Sequence, residues 1–269
     1  MSDMLKPPEI AKGLSDACVN KATGKWINLA ILGFFAGAFI AFGAQLAIMA
    51  SIGTSAALGT GVTKIIMGSV FSVGLMLVVI AGAELWTGNN LMVCSGFDKK
   101  VGWDKILGKW GIVFVFNFFG SVFIALLMWG SGLWHTSADA WGITAVNIAT
   151  AKVNLTFVEA FTRAIGCNWL VCLAVWLAAS SKDTIGKIFS IFFPIMAFVA
   201  SGFEHIIANM FFIPMGLFIK GEVAANSEGL TWASMVINNF IPVTLGNLVG
   251  GAFFVGFLYW FVYIKNAKK

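Results

Sequence analysis

Val199-Ala-Ser-Gly-Phe-Glu-His-Ile-Ile-Ala-Asn209 sets a glutamate and a histidine side by side inside a long apolar run. Ionisable side chains at membrane depth are costly unless they face a bundle interior, a partner or water. Glu204 and His205 therefore mark either a functional site or a structural pair that pins a helix break. The surrounding run, from Lys187 to Lys220, leaves about 32 residues between its flanking charges. As a straight helix it would measure roughly 48 Å against a hydrocarbon core of about 30 Å, and two crossings do not fit. One crossing by a broken helix does, provided the irregular backbone lines a cavity or is buried in protein.

The run from Lys64 to Asp98 poses the same problem and carries the same mark. Gly82-Ala-Glu-Leu-Trp-Thr-Gly-Asn89 matches Gly202-Phe-Glu-His-Ile-Ile-Ala-Asn209 as Gly-x-Glu-x4-Asn, 120 residues apart. Gly82, Glu84, Asn89, Gly202, Glu204 and Asn209 are thus the expected residues of two helix breaks. A second echo pairs Asn117-x-x-Gly120-x-x-Phe123 with Asn247-x-x-Gly250-x-x-Phe253. Together they indicate a duplication.

The composition agrees with a chain that lives in lipid. Of 269 residues, 59% are hydrophobic and only 11% charged, whereas soluble domains carry about 25% charge. Apolar windows long enough to span occur near Trp26–Ala50, Lys64–Phe97, Lys109–Gly130, Thr156–Ser180, Lys187–Ile219 and Val236–Ile264. The expected fold is an all-α, polytopic, six-helix membrane protein with segments two and five broken. Three crossings per half is odd, so the second half (about 156–264) enters from the side opposite the first (about 26–130), an inverted 3+3 repeat.

The net charge of +5 is set by topology and is no nucleic-acid footprint. Basic residues gather at the start (Lys6, Lys12, Lys21, Lys25), after segment two (Lys99, Lys100, Lys105, Lys109), after segment four (Lys182, Lys187) and at the end (Lys265, Lys268, Lys269), while Lys64, Lys152 and Lys220 stand alone in the alternate loops. The positive-inside rule then puts both termini in the cytoplasm. Residues 1–25 have no apolar core and are no cleavable signal peptide; Ile10, Leu14, Ala17, Cys18 and Lys21 suggest a short amphipathic helix on the membrane surface. Residues 26–264 are expected to form the six-helix domain and 265–269 a cytoplasmic tail. Cys18, Cys94, Cys167 and Cys172 lack metal spacing and read as small apolar fillers. Gly33, Gly37 and Gly43 read as close-packing positions. Glu159 and Arg163, four apart, are expected to pair, and Trp26, Trp103, Trp110, Trp129, Trp134 and Trp260 to form aromatic belts.

The chemistry on offer disfavours catalysis. Only two histidines are present, with His135 in an outer loop, and no hydrolase, zinc-protease or phosphate-loop motif occurs. No cofactor or metal is called for. A permeation site is better supplied: Lys152 at an outer mouth, His205 in one break, Thr87 and Asn89 in the other, and Asn168 mid-helix. Phe71, Leu75, Leu85, Trp86, Val171 and Phe198 give apolar bulk around them, and helix N-termini aimed at a break favour an anion.

Phe71-Ser-Val-Gly-Leu75, Gly82 to Asn89, Asn168 with Val171-Cys-Leu-Ala-Val-Trp176, and the long run Phe198 to Gly216 resemble the formate/nitrite transporter family over nearly the whole chain. The resemblance implies an aquaporin-like six-helix protomer in a homopentamer, each protomer with its own pore for small weak-acid anions: formate, nitrite or hydrosulfide, with acetate or lactate in some members. It implies that Lys152 and His205 are the basic pair, that Thr87 faces the histidine and that Asn168 lies beside it. It places Phe71, Leu75 and Phe198 in one constriction and Leu85 and Val171 in the other. Trp86 is a departure, since the formate channels carry Phe there, and it bears on the inner pore width. The expected mechanism has Lys152 draw the anion in and His205 lend it a proton, so that a neutral acid crosses the apolar neck. The expected location is the plasma membrane. A water or glycerol channel lacks its Asn-Pro-Ala boxes here; a sodium-coupled transporter and a membrane enzyme using Glu204 and His205 stay open.

Overall fold

A computed structural model describes residues 4–266, so residues 267–269 of the expected tail, with Lys268 and Lys269, lie outside it. The helices are α1 (Pro7–Thr23), α2 (Trp26–Ser51), α3 (Thr60–Gly82), α4 (residues 86–97), α5 (Trp103–Ser131), α6 (Ala140–Val153), α7 (Phe157–Ser180), α8 (Thr184–Ala200), α9 (Ile206–Ile219) and α10 (Trp232–Lys265). Among them α2, α3, α5, α7 and α10 are long and apolar enough to cross a membrane, while α8 and α9 divide one further crossing between them. The two halves are α2–α5 and α7–α10.

Glycine permits the breaks by conformation. Gly82 has φ +94° and Gly202 φ +75°, a left-handed region that disfavours a side chain. A Cβ on Gly82 would meet nothing within 4 Å, so backbone angle and not space selects glycine there. Close approach selects it elsewhere. A Cβ on Gly120 would collide with the Phe34 carbonyl of α2, and one on Gly250 with the Ile165 carbonyl of α7. The same crossing is thus built once in each half.

Helix starts are locally encoded. Thr156 caps α7, accepting from Glu159 N, while the Glu159 carboxylate accepts from Thr156 N (2.9 Å) and Oγ1 (2.8 Å), a capping box. That use of Glu159 replaces the expected ion pair with Arg163. Asp183 caps α8 by accepting from Gly186 N at 2.7 Å.

Three expectations change in detail. The loop before α7 holds α6, whose Trp141, Ala145, Val146 and Ala149 are fully buried. α1 does not simply lie on a membrane surface: Ile10, Ala11, Ser15, Cys18 and Ala22 are buried against the bundle, and Lys100 pairs with Asp16 at 2.8 Å. Of the belt tryptophans, Trp26, Trp103 and Trp129 are exposed, but Trp110 and Trp134 are buried and donate to the Asn89 and Trp129 carbonyls.

Candidate functional site: two chambers and a closed neck

Each break frees backbone groups that water cannot satisfy in lipid. An asparagine from the third helix of each half supplies partners. Asn117 accepts from Trp86 N (2.9 Å) and donates to the Gly33 (2.7 Å) and Glu84 (2.9 Å) carbonyls. Asn247 accepts from Ile206 N (2.9 Å) and donates to the Ala164 (2.8 Å) and Glu204 (2.9 Å) carbonyls. The second echo in the sequence is therefore the staple of the first.

The acidic residues repeat as well. Asn89 donates to Glu84 Oε2 at 2.9 Å, and Lys21 Nζ lies 3.0 Å from both Glu84 Oε2 and Asn89 Oδ1. Asn209 donates to Glu204 Oε2 at 2.7 Å, and Lys152 donates to Glu204 Oε1 at 2.8 Å. Each break holds a Lys–Glu–Asn cluster. Lys152 is thus a neutralised partner with 15% of its side chain exposed, and not a free charge at an open mouth; its ammonium also sits 5.4 Å from the Phe212 ring centroid.

His205 belongs to one break only. Its Nδ1 accepts from Ala208 N at 3.1 Å, capping α9. A neutral ring that accepts at Nδ1 carries its proton on Nε2, and Nε2 lies 3.0 Å from Thr87 Oγ1. Histidine therefore donates to Thr87 across the meeting point of the two breaks. Asn168 stands behind this pair: its amide donates to the Thr87 carbonyl (3.3 Å), Asn90 Oδ1 (2.9 Å) and the Asn247 carbonyl (2.7 Å). It joins the halves and lines none of the cavities described next.

Two cavities flank a closed middle. One, of about 140 Å³, is lined by Lys152, Glu204, His205, Asn209, Phe71 and Phe198 among others. The other, of about 530 Å³, is lined by Lys21, Glu84, Asn89, Leu75, Leu85 and Gly82 among others, with Leu14 of α1. Between them Ile40, Phe71, Leu75, Leu85, Val171, Ile195, Phe198 and His205 enclose a void too small for water. Phe71 and Phe198 meet edge to face at 5.7 Å, and Phe198 stacks on His205 at 5.8 Å.

The grouping of the apolar residues differs from that implied by resemblance. All of Phe71, Leu75, Phe198, Leu85 and Val171 line one neck; Leu75 borders the Lys21 cavity with Leu85, while Phe71 and Phe198 border the Lys152 cavity. Trp86 lines none of the three cavities and packs against Trp110 and Phe114. Ile40 and Ile195 complete the neck and carry no local signal, being isoleucines in apolar helices. Lys21 was legible only as one face of a weak amphipathic pattern.

Two opposed broken helices, a polar cluster at each break and a sealed apolar neck define a membrane pore for a small solute. Residues 8–261 match the family model described as formate/nitrite transporter, and the chain belongs to that family. It is 45% identical to a probable formate transporter of Methanothermobacter thermautotrophicus, covering 98% of this chain and 99% of the relative. It is 38% identical to the formate channel FocA of Escherichia coli strain K12, covering 98% and 96%. A solved pentameric formate channel with formate bound superposes with TM-score 0.81 at 35% identity, over 89% of this chain and 98% of that one. An FNT family ion channel gives TM-score 0.83 at 29% identity, over 94% and 98%.

Proposed function

We propose that this protein conducts formate, as a weak acid with its proton, through a pore in each protomer of a homopentamer in the plasma membrane. Both termini face the cytoplasm in this reading, and the Lys152 chamber faces outward. The protein transports and does not transform its substrate. The observation that carries the reading is the sealed apolar neck with His205 at its edge.

A bare anion entering a ring of Phe, Leu, Ile and Val loses its hydration without replacement, whereas a neutral acid pays far less. Proton and anion therefore have to meet before the neck. In the outer chamber the Lys152 ammonium, though paired, favours the anion's approach, and His205, which lines that chamber, takes a proton from water to become imidazolium and gives one to formate, ending as a neutral ring. Thr87 Oγ1, bonded to Nε2, holds the ring at the edge of the neck. In the balance, one formate and one proton leave the outer water, one formic acid crosses, and the proton is released in the Lys21 chamber.

The test is flux into proteoliposomes with internal pH recorded, comparing formate with nitrite, hydrosulfide and acetate. Formate uptake accompanied by internal acidification is expected. Sodium-dependent uptake, or no formate uptake at all, would sink the reading.

A further inference from the structure

The walls of the Lys152 cavity carry no net charge while the His205 ring is neutral. Their one ammonium, on Lys152, is matched by the Glu204 carboxylate at 2.8 Å. From the water beyond the cavity such a pair is a dipole, and the attraction and repulsion it exerts on an approaching anion largely cancel. Steering from a distance needs an unmatched charge.

Lys64 of α3 supplies one. It lies three residues before Met67 and seven before Phe71 on the same helix, and that spacing sets all three on one helix face. Met67 and Phe71 both line the cavity, so the face that walls the chamber continues to Lys64 at its rim. The ammonium also reaches toward the break: Nζ lies 4.0 Å from the position a Cβ on Gly202 would take, and Gly202 is another lining residue. Lys64 is exposed and makes no hydrogen bond or ion pair with any described residue. Lys152 is thus a cation inside the chamber without net charge around it, and Lys64 a free cation at its edge.

We infer that Lys64 steers small monovalent anions to the Lys152 chamber, raising their concentration at its mouth without binding them inside. The inference deepens the transport reading and rests on it. It separates capture, carried by Lys64, from the chemistry within, carried by Lys152 and His205. The competing role for Lys64 is structural: its ammonium could serve only to complement the negative C-terminal end of α8, which stops at Ala200.

Ionic strength separates the two roles. The field of an exposed charge reaches about 30 Å at 0.01 M ionic strength and about 3 Å at 1 M, whereas a helix held in place by its own packing is insensitive to that change. The experiment is the initial rate of labelled formate uptake into proteoliposomes holding the wild type, Lys64→Gln or Lys64→Arg. From dilute formate at about 0.01 M ionic strength, Lys64→Gln is expected to be about threefold slower than the wild type, and Lys64→Arg to match it. At about 1 M all three are expected to coincide, both from dilute formate and at saturation. A Lys64→Gln deficit of the same size at both ionic strengths, or confined to the saturating rate, would overturn the inference in favour of the structural role. Equal rates for Lys64→Gln and the wild type at low ionic strength would overturn it outright, as would failure of Lys64→Arg to restore uptake. Absence of formate uptake in the wild type would instead sink the transport reading itself.

Discussion

His205 does three jobs with one ring, and they constrain one another. Its Nδ1 caps α9, its Nε2 reaches Thr87, and its face stacks on Phe198. A second ring proton on Nδ1 would point at the Ala208 N–H and break the cap, worth about 1 kcal/mol for an exposed cap. A neutral ring cannot lend its Nε2 proton without becoming imidazolate, so the loan runs through the doubly protonated ring and opens the cap while that charge lasts. His205→Phe keeps the stack and loses both hydrogen bonds, so proton-coupled formate flux should fall at least tenfold in proteoliposomes. Unchanged flux with unchanged internal acidification would exclude the histidine as lender. Asn168 sits one layer back, where Asn168→Leu would take the donor from buried Asn90 Oδ1 and from the Asn247 carbonyl, while the Thr87 carbonyl keeps Asn90 N and Cys172 Sγ. Each buried unsatisfied group costs about 1–3 kcal/mol, so the detergent-solubilised variant should melt several degrees lower even where some flux persists.

The breaks are where element-scale sequence signals were strong, because Gly-x-Glu-x4-Asn is local: the glycine sets the angle, and the acid and amide bond each other five residues apart. What the sequence did not reveal lies across long separations. Lys21 and Glu84 meet over 63 residues, Lys152 and Glu204 over 52, and no periodicity pairs them. α6 escaped notice because its 14 residues are too few to span, although they bury like a core helix. α1 escaped in part for the opposite reason: Lys21, read as the polar edge of a surface helix, points into the bundle. Gly82→Ala and Gly202→Ala test the element directly. Either substitution forces a side chain into positive φ at a cost of about 1–2 kcal/mol, and both should lower the melting temperature by a similar amount. A loss confined to one variant would mean that the two breaks are not mechanically equivalent.

At the scale of the whole molecule the inverted repeat separates stability from chemistry. Asn117 and Asn247 make the same three kinds of bond, to a restarting helix N–H, to a carbonyl of the first helix of their half, and to the carbonyl of the break glutamate. Symmetry predicts that Asn117→Ala and Asn247→Ala destabilise the protein comparably, since each orphans the same groups. The proposed chemistry is not symmetric, because the histidine is present in one break only. Asn247 accepts from Ile206 N, the residue after His205, so its loss lets the cap, the ring and the Thr87 contact shift together. Asn117 accepts from Trp86 N, the residue before Thr87, and its loss reaches the histidine only through the hydroxyl. Thermal unfolding should therefore report equal losses, while formate flux per folded protomer should fall more for Asn247→Ala. Equal flux losses would place the selective step in the neck that both halves build, and take it away from the Lys152 chamber.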